Sequence, residues 1–303
     1  MASTRELRRR IKSVKNIAQV TRAMQMVAAS RMRRAQEQAL ASRPYAAKAW
    51  EILTHLAAQK GNVEQLHPLL TQREEIKNVA IVLISGDRGL AGAYNSNIIR
   101  AASRFMHDRN QENASLITVG RKGREFMVRY RRNVVADFTD LPPLPTAFDI
   151  APITRLVIDG FLGAEFDQVY LAYTDFINTL TQDPTVRLLL PIRPGQVESK
   201  VMSEYLVQET TPAPADYIYE PNPVVLLDSL LPRFTELQIY QALIEARASE
   251  ESARMVAMRN ATENAKDLIG DLTLTYNKVR QDAITKEMLD IAGGAEALAK
   301  ARG

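Results

Sequence analysis

The chain has 303 residues, of which 46% are hydrophobic and 24% charged, and its net charge is +4. This composition is typical of a soluble globular protein with one large or two modest domains, and the longest apolar runs are too short to cross a bilayer. Cysteine is absent and the three histidines are scattered, which excludes disulfides, thiolate metal sites and a cysteine nucleophile and argues against a histidine metal cluster.

The first 34 residues carry an unusual positive charge. They contain ten Lys or Arg residues and one acid, Glu6, which gives +9 here and leaves −5 for the rest of the chain. Such a segment predicts an acidic partner, which can be nucleic acid, an anionic membrane surface or an acidic protein. The segment has no aromatic residue, which argues against a nucleic-acid interface and favours a protein partner. A merely solvated basic face is the simpler alternative.

Residues 3–58 predict one long helix. They contain no Gly and one Pro, Pro44, and strong helix formers dominate. Ser3 or Thr4 suits the cap, and we expect Pro44 to kink the helix without ending it. Apolar residues recur in steps of three and four, as in a coiled-coil seam. The stripe consists of Leu7, Ile11, Val14, Ile17 or Ala18, Met24, Ala28, Met32 and Ala35.

After a polar connector at 60–77, short β-rich runs alternate with helical runs. This order predicts a doubly wound, Rossmann-like α/β domain with a mainly parallel sheet. The predicted strands are 79–85, 115–120, 134–138, 167–176 and a fifth that starts at Arg187, and the predicted helices are 95–109, 121–130 and 150–165.

The helical pattern returns at Val224 and runs to Ala292, with Gly293-Gly294 as the predicted stop. Neither terminal segment has enough apolar surface to stand alone in water. Because they lie at opposite ends of the chain, we expect them to pair as a long antiparallel coiled coil. The C-terminal helix is the longer one, so its last turns before Gly293 are predicted to form a single-helix tip.

The segment SGDRGLAGAYN, residues 85–95, joins the first strand to a helix through three glycines and is called the glycine turn below. A Walker loop needs a Lys after its last Gly, and a dinucleotide fingerprint needs G-x-G-x-x-G. Here the spacing is G-x-x-G-x-x-G with no Lys nearby. This favours a tight corner in which Gly supplies unusual backbone angles and Asp87 can pair with Arg88. A nucleotide-binding enzyme is the alternative.

Four segments resemble the γ subunit of F-type ATP synthases. RRRIKSVKNIAQVTRAMQMVAASRMRRAQ (8–36) is similar to its N-terminal helix, and the glycine turn to its S-D-R-G-L-C-G-x-[FY]-N segment, with an additional Gly86 and with Ala91 where Cys is common. Residues 248–265 and 274–298 resemble its C-terminal helix, the latter on the spacing I-T-x-E-x-x-D-x-x-x-G-A. Residues 110–215 match by architecture alone.

The resemblance implies the central-stalk rotor of the synthase, with the terminal helices inside a ring of three α and three β subunits. The α/β domain would be a foot beside the ε subunit and the c-subunit ring. ATP forms on the β subunits in this family, so no catalytic residue, cofactor or metal is expected here, and no nucleic acid. Since no transit peptide precedes the matching start, we expect a peripheral place on the cytoplasmic face of a bacterial cell membrane, without direct insertion.

The resemblance also implies partner-contact residues. Met24 and Arg254 map near an acidic β loop, whereas Arg280, Gln281 and Thr285 map to contacts with a second β loop. Gln281 and Thr285 share a helix face because they are four residues apart. The alternative for Met24 is a position in the helix seam. The alternative for the three polar residues is exposure to solvent without a partner contact. The implied division is a helix at 1–59, a connector at 60–77, a foot domain at 78–223 and a second helix at 224–303.

Overall fold

The computed structural model describes residues 3–59, 67–193 and 223–301. Contacts divide the chain into two units. One unit combines the residues up to Val27 with those from Met255 onward, and the other runs from Ala28 to Arg254. The elements in chain order are α1 (Thr4–Gln59), a 3-10 helix (Pro68–Leu70), β1 (Val79–Ile84), α2 (Tyr94–Asp108), β2 (Ser115–Val119), α3 (Arg121–Arg129), β3 (Val134–Phe138), α4 (Ala147–Leu162), β4 (Gln168–Phe176), β5 (Gln182–Leu190) and α5 (Pro223–Ala301).

In the first unit, α1 and α5 pair along a heptad seam. Arg8 Nη2 donates to the Tyr276 hydroxyl at 2.8 Å, and the hydroxyls of Thr21 and Thr262 lie 2.7 Å apart. A residue later in α1 therefore meets one earlier in α5, which confirms the antiparallel pairing. Buried or half-buried positions recur in steps of three and four: Leu7, Ile11, Val14, Ala18, Thr21 and Gln25 in α1, and Met258, Thr262, Ala265, Ile269, Leu272, Tyr276 and Val279 in α5.

The continuity and the N-terminal cap of α1 are confirmed, whereas the kink at Pro44 stays a prediction. The helix runs through Pro44 without ending. Its first turn is capped by Ser3, whose hydroxyl oxygen accepts from the Glu6 backbone N–H at 3.3 Å. Between the two seam candidates, Ala18 is the seam residue, because the side chain of Ile17 points outward and is 53% exposed.

In the second unit, five strands form one sheet in the order β3-β2-β1-β4-β5. The pairs among β3, β2, β1 and β4 are parallel, and β5 is antiparallel to β4. The doubly wound, mainly parallel sheet is thus confirmed. All six residues of β1 are buried, because the strand is apolar on both faces and central in the sheet.

Helices cover both faces of this sheet. One face packs against α4 and α5, and the other against α2 and α3. The first turns of α5 are therefore part of the sheet domain's core, because Leu227, Leu231 and Phe234 are buried there. Farther along, α5 also pairs with α1, where Ala35 and Ala39 pack on Ile244 and Ala248.

One predicted helix end is wrong, and part of one predicted connector is packed more closely than expected. The helix α5 does not stop at Gly293-Gly294 but continues to Ala301, since the strong helix formers that follow offset a cost of about 1 kcal/mol per glycine. Residues 60–77 are also not simply a polar connector. Leu69 and Leu70 are 0% and 2% exposed and join the core, and the Leu69 carbonyl accepts from the Ile192 N–H at 2.9 Å. Residues 60–66 lie outside the described residues.

Two element boundaries also differ from prediction. Strand β5 begins at Gln182, five residues before the predicted start, because it pairs with β4 as an antiparallel neighbour from Phe176 onward. Helix α4 spans Ala147–Leu162 rather than 150–165, because the Asp149 carboxylate accepts from the Thr146 N–H at 2.7 Å and fixes an earlier start. In the described part of the chain, none of the helices combines the length and apolar character of a membrane-spanning segment.

Candidate functional site

The helix α5 extends beyond the end of its pairing with α1. Tyr276 and Val279 are still half-buried, whereas every residue from Arg280 to Ala295 is exposed. On the other helix, Arg8, near the start of α1, is already at the level of Tyr276. The predicted single-helix tip is therefore confirmed, and residues 280–295 are called the tip below. Its apolar residues Ile284, Met288 and Ile291 are 48%, 59% and 68% exposed.

Three of the predicted contact residues lie at the base of the tip. Gln281 and Thr285 are exposed. Arg280 is exposed too, and its guanidinium lies 5.9 Å from the centre of the Tyr276 ring. Arg8 approaches the same ring at 5.7 Å, and its hydrogen bond to the hydroxyl lowers the pKa of Tyr276. Both guanidinium groups therefore lie within cation–π distance of the same ring.

Met24 lies in the same unit, beside the seam and not in its centre, and it is half-buried. It shares one helix face with Ile17, Val20 and Val27, which follow steps of three and four and are 53%, 58% and 51% exposed. Large contiguous patches of exposed apolar side chains are typical of surfaces that bind another protein. We call these four residues the apolar stripe of α1. The partner contact predicted for Met24 stays a prediction, and so does its alternative role in the seam.

Arg254 belongs to the second unit and is buried, with an exposure of 8%. Its guanidinium donates to Glu250 at 2.6 Å and to Glu251 at 2.8 Å. Burial alone lowers the pKa of Arg254, but the two carboxylates outweigh this and raise it. Glu251 also faces Arg31 of α1 at 3.7 Å. In this structure Arg254 therefore holds acidic side chains between α5 and α1.

The glycine turn lies where open α/β sheets bind ligands. In the order β3-β2-β1-β4-β5 the connections leave β1 and β4 in opposite directions, and nucleotides bind in the crevice at the carboxyl ends of such strands. Here α5 fills that place. A Cβ added to Gly86 would lie 2.7 Å from Glu250 Oε1. Ser249 Oγ donates to the Thr174 carbonyl at 3.2 Å, at the end of β4.

The turn holds α5 through charges as well. The Asp87 carboxylate accepts from the Arg121 N–H at 3.1 Å and faces Arg247 of α5 at 3.6 Å. The predicted pairing of Asp87 with Arg88 is wrong, because these tertiary partners take the carboxylate. Arg247 in turn contacts Glu250 at 3.1 Å. An acidic side chain beside the turn opposes phosphate binding. The geometry therefore favours a turn that packs against α5 over a nucleotide site.

The backbone of the turn explains part of its glycine content. Gly92 has φ 54°, the unusual angle predicted for a glycine here, and Leu90 adopts a similar φ of 63°. Asn95 closes the corner, since its Oδ1 accepts from the Gly86 N–H at 2.8 Å and its amide donates to the Arg88 carbonyl at 3.2 Å. Gly86 is required for the close approach of Glu250. Sequence reasoning missed Glu250, and only the charged spacing of Arg247, Glu250 and Arg254 on one helix face hinted at it.

Comparison with known proteins gives one consistent result. The family model described as ATP synthase matches residues 3–298. The ATP synthase gamma chain of Roseiflexus castenholzii (strain DSM 13941 / HLO8) is 50% identical over 302 residues, covering 99% of this chain and all of that relative. The ATP synthase gamma chain of Dehalococcoides mccartyi (strain CBDB1) is 48% identical over 299 residues, with 99% and 100% covered.

Solved structures agree with this result. A chain from the central stalk/c-ring structure of Tetrahymena thermophila mitochondrial ATP synthase is 26% identical, covers 80% of this chain and 99% of its own, and has a TM-score of 0.58. A chain from Euglena gracilis mitochondrial ATP synthase in rotational state 3 has a TM-score of 0.66, with 99% and 96% covered, and at 17% identity it supports the fold alone. The chain therefore belongs to the γ chains of the ATP synthase family.

Proposed function

We propose that this chain is the central-stalk rotor of an F-type ATP synthase. One copy stands inside a ring of three α and three β subunits, with the ε subunit and the c-subunit ring at the α/β domain. Ion flow through the membrane sector turns the stalk, and its asymmetric surface drives ATP synthesis or hydrolysis on the β subunits. The chain itself is not catalytic, and it is peripheral to the membrane, on the cytoplasmic face of a bacterial cell.

The exposed tip is the observation that carries this proposal. A single helix with outward-facing Ile284, Met288 and Ile291 is not stable in water as an isolated element, because these apolar side chains are exposed in the described part of the chain. A surrounding sleeve would cover these side chains without requiring directional hydrogen bonds. A stalk that turns inside a ring needs that kind of contact, since each bond would have to break at every step.

The contact residues have distinct roles in this proposal. Met24 contacts an acidic β loop through the apolar stripe of α1, next to the basic side chains of the first 34 residues. Arg280, Gln281 and Thr285 contact a second β loop at the base of the tip. Arg254 acts on the first loop indirectly, since it is buried and holds Glu250 and Glu251. In functional terms the chain divides into helices at 1–59 and 224–303, a connector at 60–77 and a foot at 78–223.

Reconstitution tests the proposal. The full chain is co-expressed with the α and β subunits of the same genome, and subunit stoichiometry and steady-state ATP hydrolysis are measured with and without it. We expect a complex of three α, three β and one copy of this chain, and hydrolysis that depends on it. A chain that neither joins the ring nor changes hydrolysis contradicts the proposal.

A matched pair of variants tests the predicted contacts at the tip. The Gln281→Ala/Thr285→Ala chain should assemble but reduce hydrolysis about tenfold, the loss expected when about 1.4 kcal/mol of contact energy is removed. The Asp282→Ala/Lys286→Ala chain changes another exposed pair at the same spacing. Equal ATP hydrolysis with the two variant chains would show that Gln281 and Thr285 are not part of the contact surface.

A further inference from the structure

Two acidic side chains meet inside the second unit, on elements far apart in the sequence. Glu245 lies on α5 and Asp175 near the carboxyl end of β4, and they are 4% and 1% exposed. The two side chains are within hydrogen-bonding reach of each other. Two ionised carboxylates at that distance repel each other strongly in a poorly solvated interior. The pair therefore needs a compensating charge or a proton.

The described groups around the pair supply one positive charge for two acids. Arg187 of β5 donates to Asp175 Oδ2 at 2.7 Å. Gln241 of α5 donates its side-chain amide to Glu245 Oε1 at 3.2 Å. Tyr173 of β4 also faces Glu245, and Arg187 lies 5.4 Å from the centre of its ring. With Arg187 bound to Asp175, the charge of an ionised Glu245 would be left without a cation of its own among these neighbours.

The second oxygen of each carboxyl indicates where a proton can lie between Glu245 and Asp175. Asp175 Oδ1 and Glu245 Oε2 are buried and, among the residues that the structure describes, have no hydrogen-bond partner as carboxylates. Buried polar atoms in folded proteins nearly always have a partner. A single proton on Glu245 satisfies both, because a protonated carboxyl donates where an ionised one only accepts. Burial, followed by the neighbouring Asp175, raises the pKa of Glu245 to about 8.

We propose that Glu245 is protonated at neutral pH and that its Oε2–H donates to Asp175 Oδ1, forming a proton-dependent link between α5 and β4. The link lies one turn before Ser249, which bonds the Thr174 carbonyl at 3.2 Å. It therefore belongs to the same contact between α5 and the sheet as the glycine turn. Loss of the proton places a second negative charge beside Asp175 and weakens this contact.

The sign of the pH dependence follows from linkage. The pKa of Glu245 is higher in the folded chain than in the unfolded chain, so the folded state binds the proton more tightly. The stabilisation is complete below the unfolded pKa of about 4.3, falls as the pH rises, and levels off above the folded-state value. For one proton, the folding equilibrium constant changes about tenfold per pH unit between those two values.

Infrared spectroscopy of the unmodified full-length chain tests the proton directly. We expect a protonated-carboxyl C=O band at pH 7 that shifts when Glu carboxyls carry ¹³C, does not shift when Asp carboxyls carry ¹³C, and disappears above about pH 8. Absence of the band at pH 7, or a band that follows the Asp label, overturns the proposal. This measurement does not depend on whether any variant folds.

A variant pair tests the link itself. Glu245→Gln replaces the protonated acid by an amide that still donates to Asp175. This chain should lose the protonated-carboxyl band and the dependence of its unfolding free energy on pH between 5 and 8. It should remain at least as stable as the wild type at pH 8. Glu287→Gln changes an exposed Glu of the same helix and should keep both the band and the slope. A Glu245→Gln chain with the wild-type slope overturns the proposal.

Discussion

Glu250 lies directly against Gly86, so closely that a Cβ on Gly86 would be 2.7 Å from Glu250 Oε1. The carboxylate cannot easily move away, because Arg254 and Arg247 hold it at 2.6 and 3.1 Å. The glycine turn and the long C-terminal helix thus depend on each other. The contact gives a structural reason for a glycine in a motif that otherwise looks like a phosphate loop.

Gly86→Ala should therefore destabilise the chain by about 1–3 kcal/mol, the usual cost of overpacking a tight contact. The added Cβ would also approach Asn95 Oδ1 at 3.1 Å. Urea unfolding of the full chain measures the effect. Gly89→Ala is the control, because a Cβ there meets nothing within 4 Å, and its expected change is within about 0.5 kcal/mol. Equal urea-unfolding midpoints for the two variants would contradict a tight contact between Gly86 and Glu250.

Arg254→Ala should be far more disruptive than the loss of a surface ion pair. It leaves the buried carboxylate of Glu250 and the partly buried one of Glu251 without their main cation, and removing one partner of a buried pair costs about 3–5 kcal/mol. Arg259→Ala on the same helix removes an exposed pair with Glu263 and should cost about 0–1 kcal/mol. If Arg254→Ala folds normally but lowers hydrolysis in the complex, its role is direct contact with a partner.

Met24→Lys should impair coupling more than assembly. The change adds a cation beside a seam and an apolar stripe that we propose faces an acidic loop. Proton-driven ATP synthesis in membrane vesicles is the measurement, alongside the yield of the assembled complex. Gln19→Lys adds the same charge at an exposed position outside the apolar stripe and should leave synthesis near the wild-type rate. Unchanged synthesis in Met24→Lys would sink the hypothesis.

His67 should make the chain less stable in mild acid. It is 9% exposed, its Nδ1 accepts from the Leu69 N–H at 3.0 Å, and its Nε2 faces Asp228 at 3.4 Å. Burial lowers its pKa, although Asp228 opposes this. Since the folded-state pKa lies below the unfolded value of about 6.5, stability is complete above that value and is lost as the pH falls below it.

Comparing the unfolding free energies of His67→Asn and the wild type from pH 7 to pH 5 isolates the contribution of His67. Asn keeps a side-chain acceptor for the Leu69 N–H but does not titrate in this range, so the variant should show a smaller loss of stability in acid. His107→Asn makes the same replacement at an exposed site and is the control. A His67→Asn profile that matches the wild type would show that His67 is not the source.

Replacing Gly293 and Gly294 by Ala should stabilise the end of α5. Both glycines lie in the helix interior with nothing within 4 Å of an added Cβ, so each substitution gains about 1 kcal/mol of local helix stability. Amide hydrogen exchange of the following residues should slow by about fivefold or more. Gly293→Pro, which removes a helix hydrogen bond, should have the opposite effect. Unchanged amide hydrogen exchange in the chain with Ala at positions 293 and 294 would indicate that the helix ends at Gly293.

Local sequence determined most of the secondary structure of this chain. Steps of three and four along residues 3–58 and 224–292 indicated the paired helices, and short β-rich runs indicated four of the five strands within a residue or two. Such patterns are set by neighbouring residues, so they can be found without the fold. Local pattern could not choose between Ile17 and Ala18 for the seam, because that choice depends on which side of α1 faces α5.

Tertiary structure alone decided what occupies the crevice beside the glycine turn and which acids are buried together. Gly86 and Glu250 are far apart in the sequence, and so are Asp175 and Glu245, and no periodicity links either pair. Their contacts arise because the first turns of α5 cover one face of the sheet and bring its charged face to the carboxyl ends of β1 and β4. Burial then changes the chemistry of these side chains, since a carboxyl without solvent must find a cation or keep its proton.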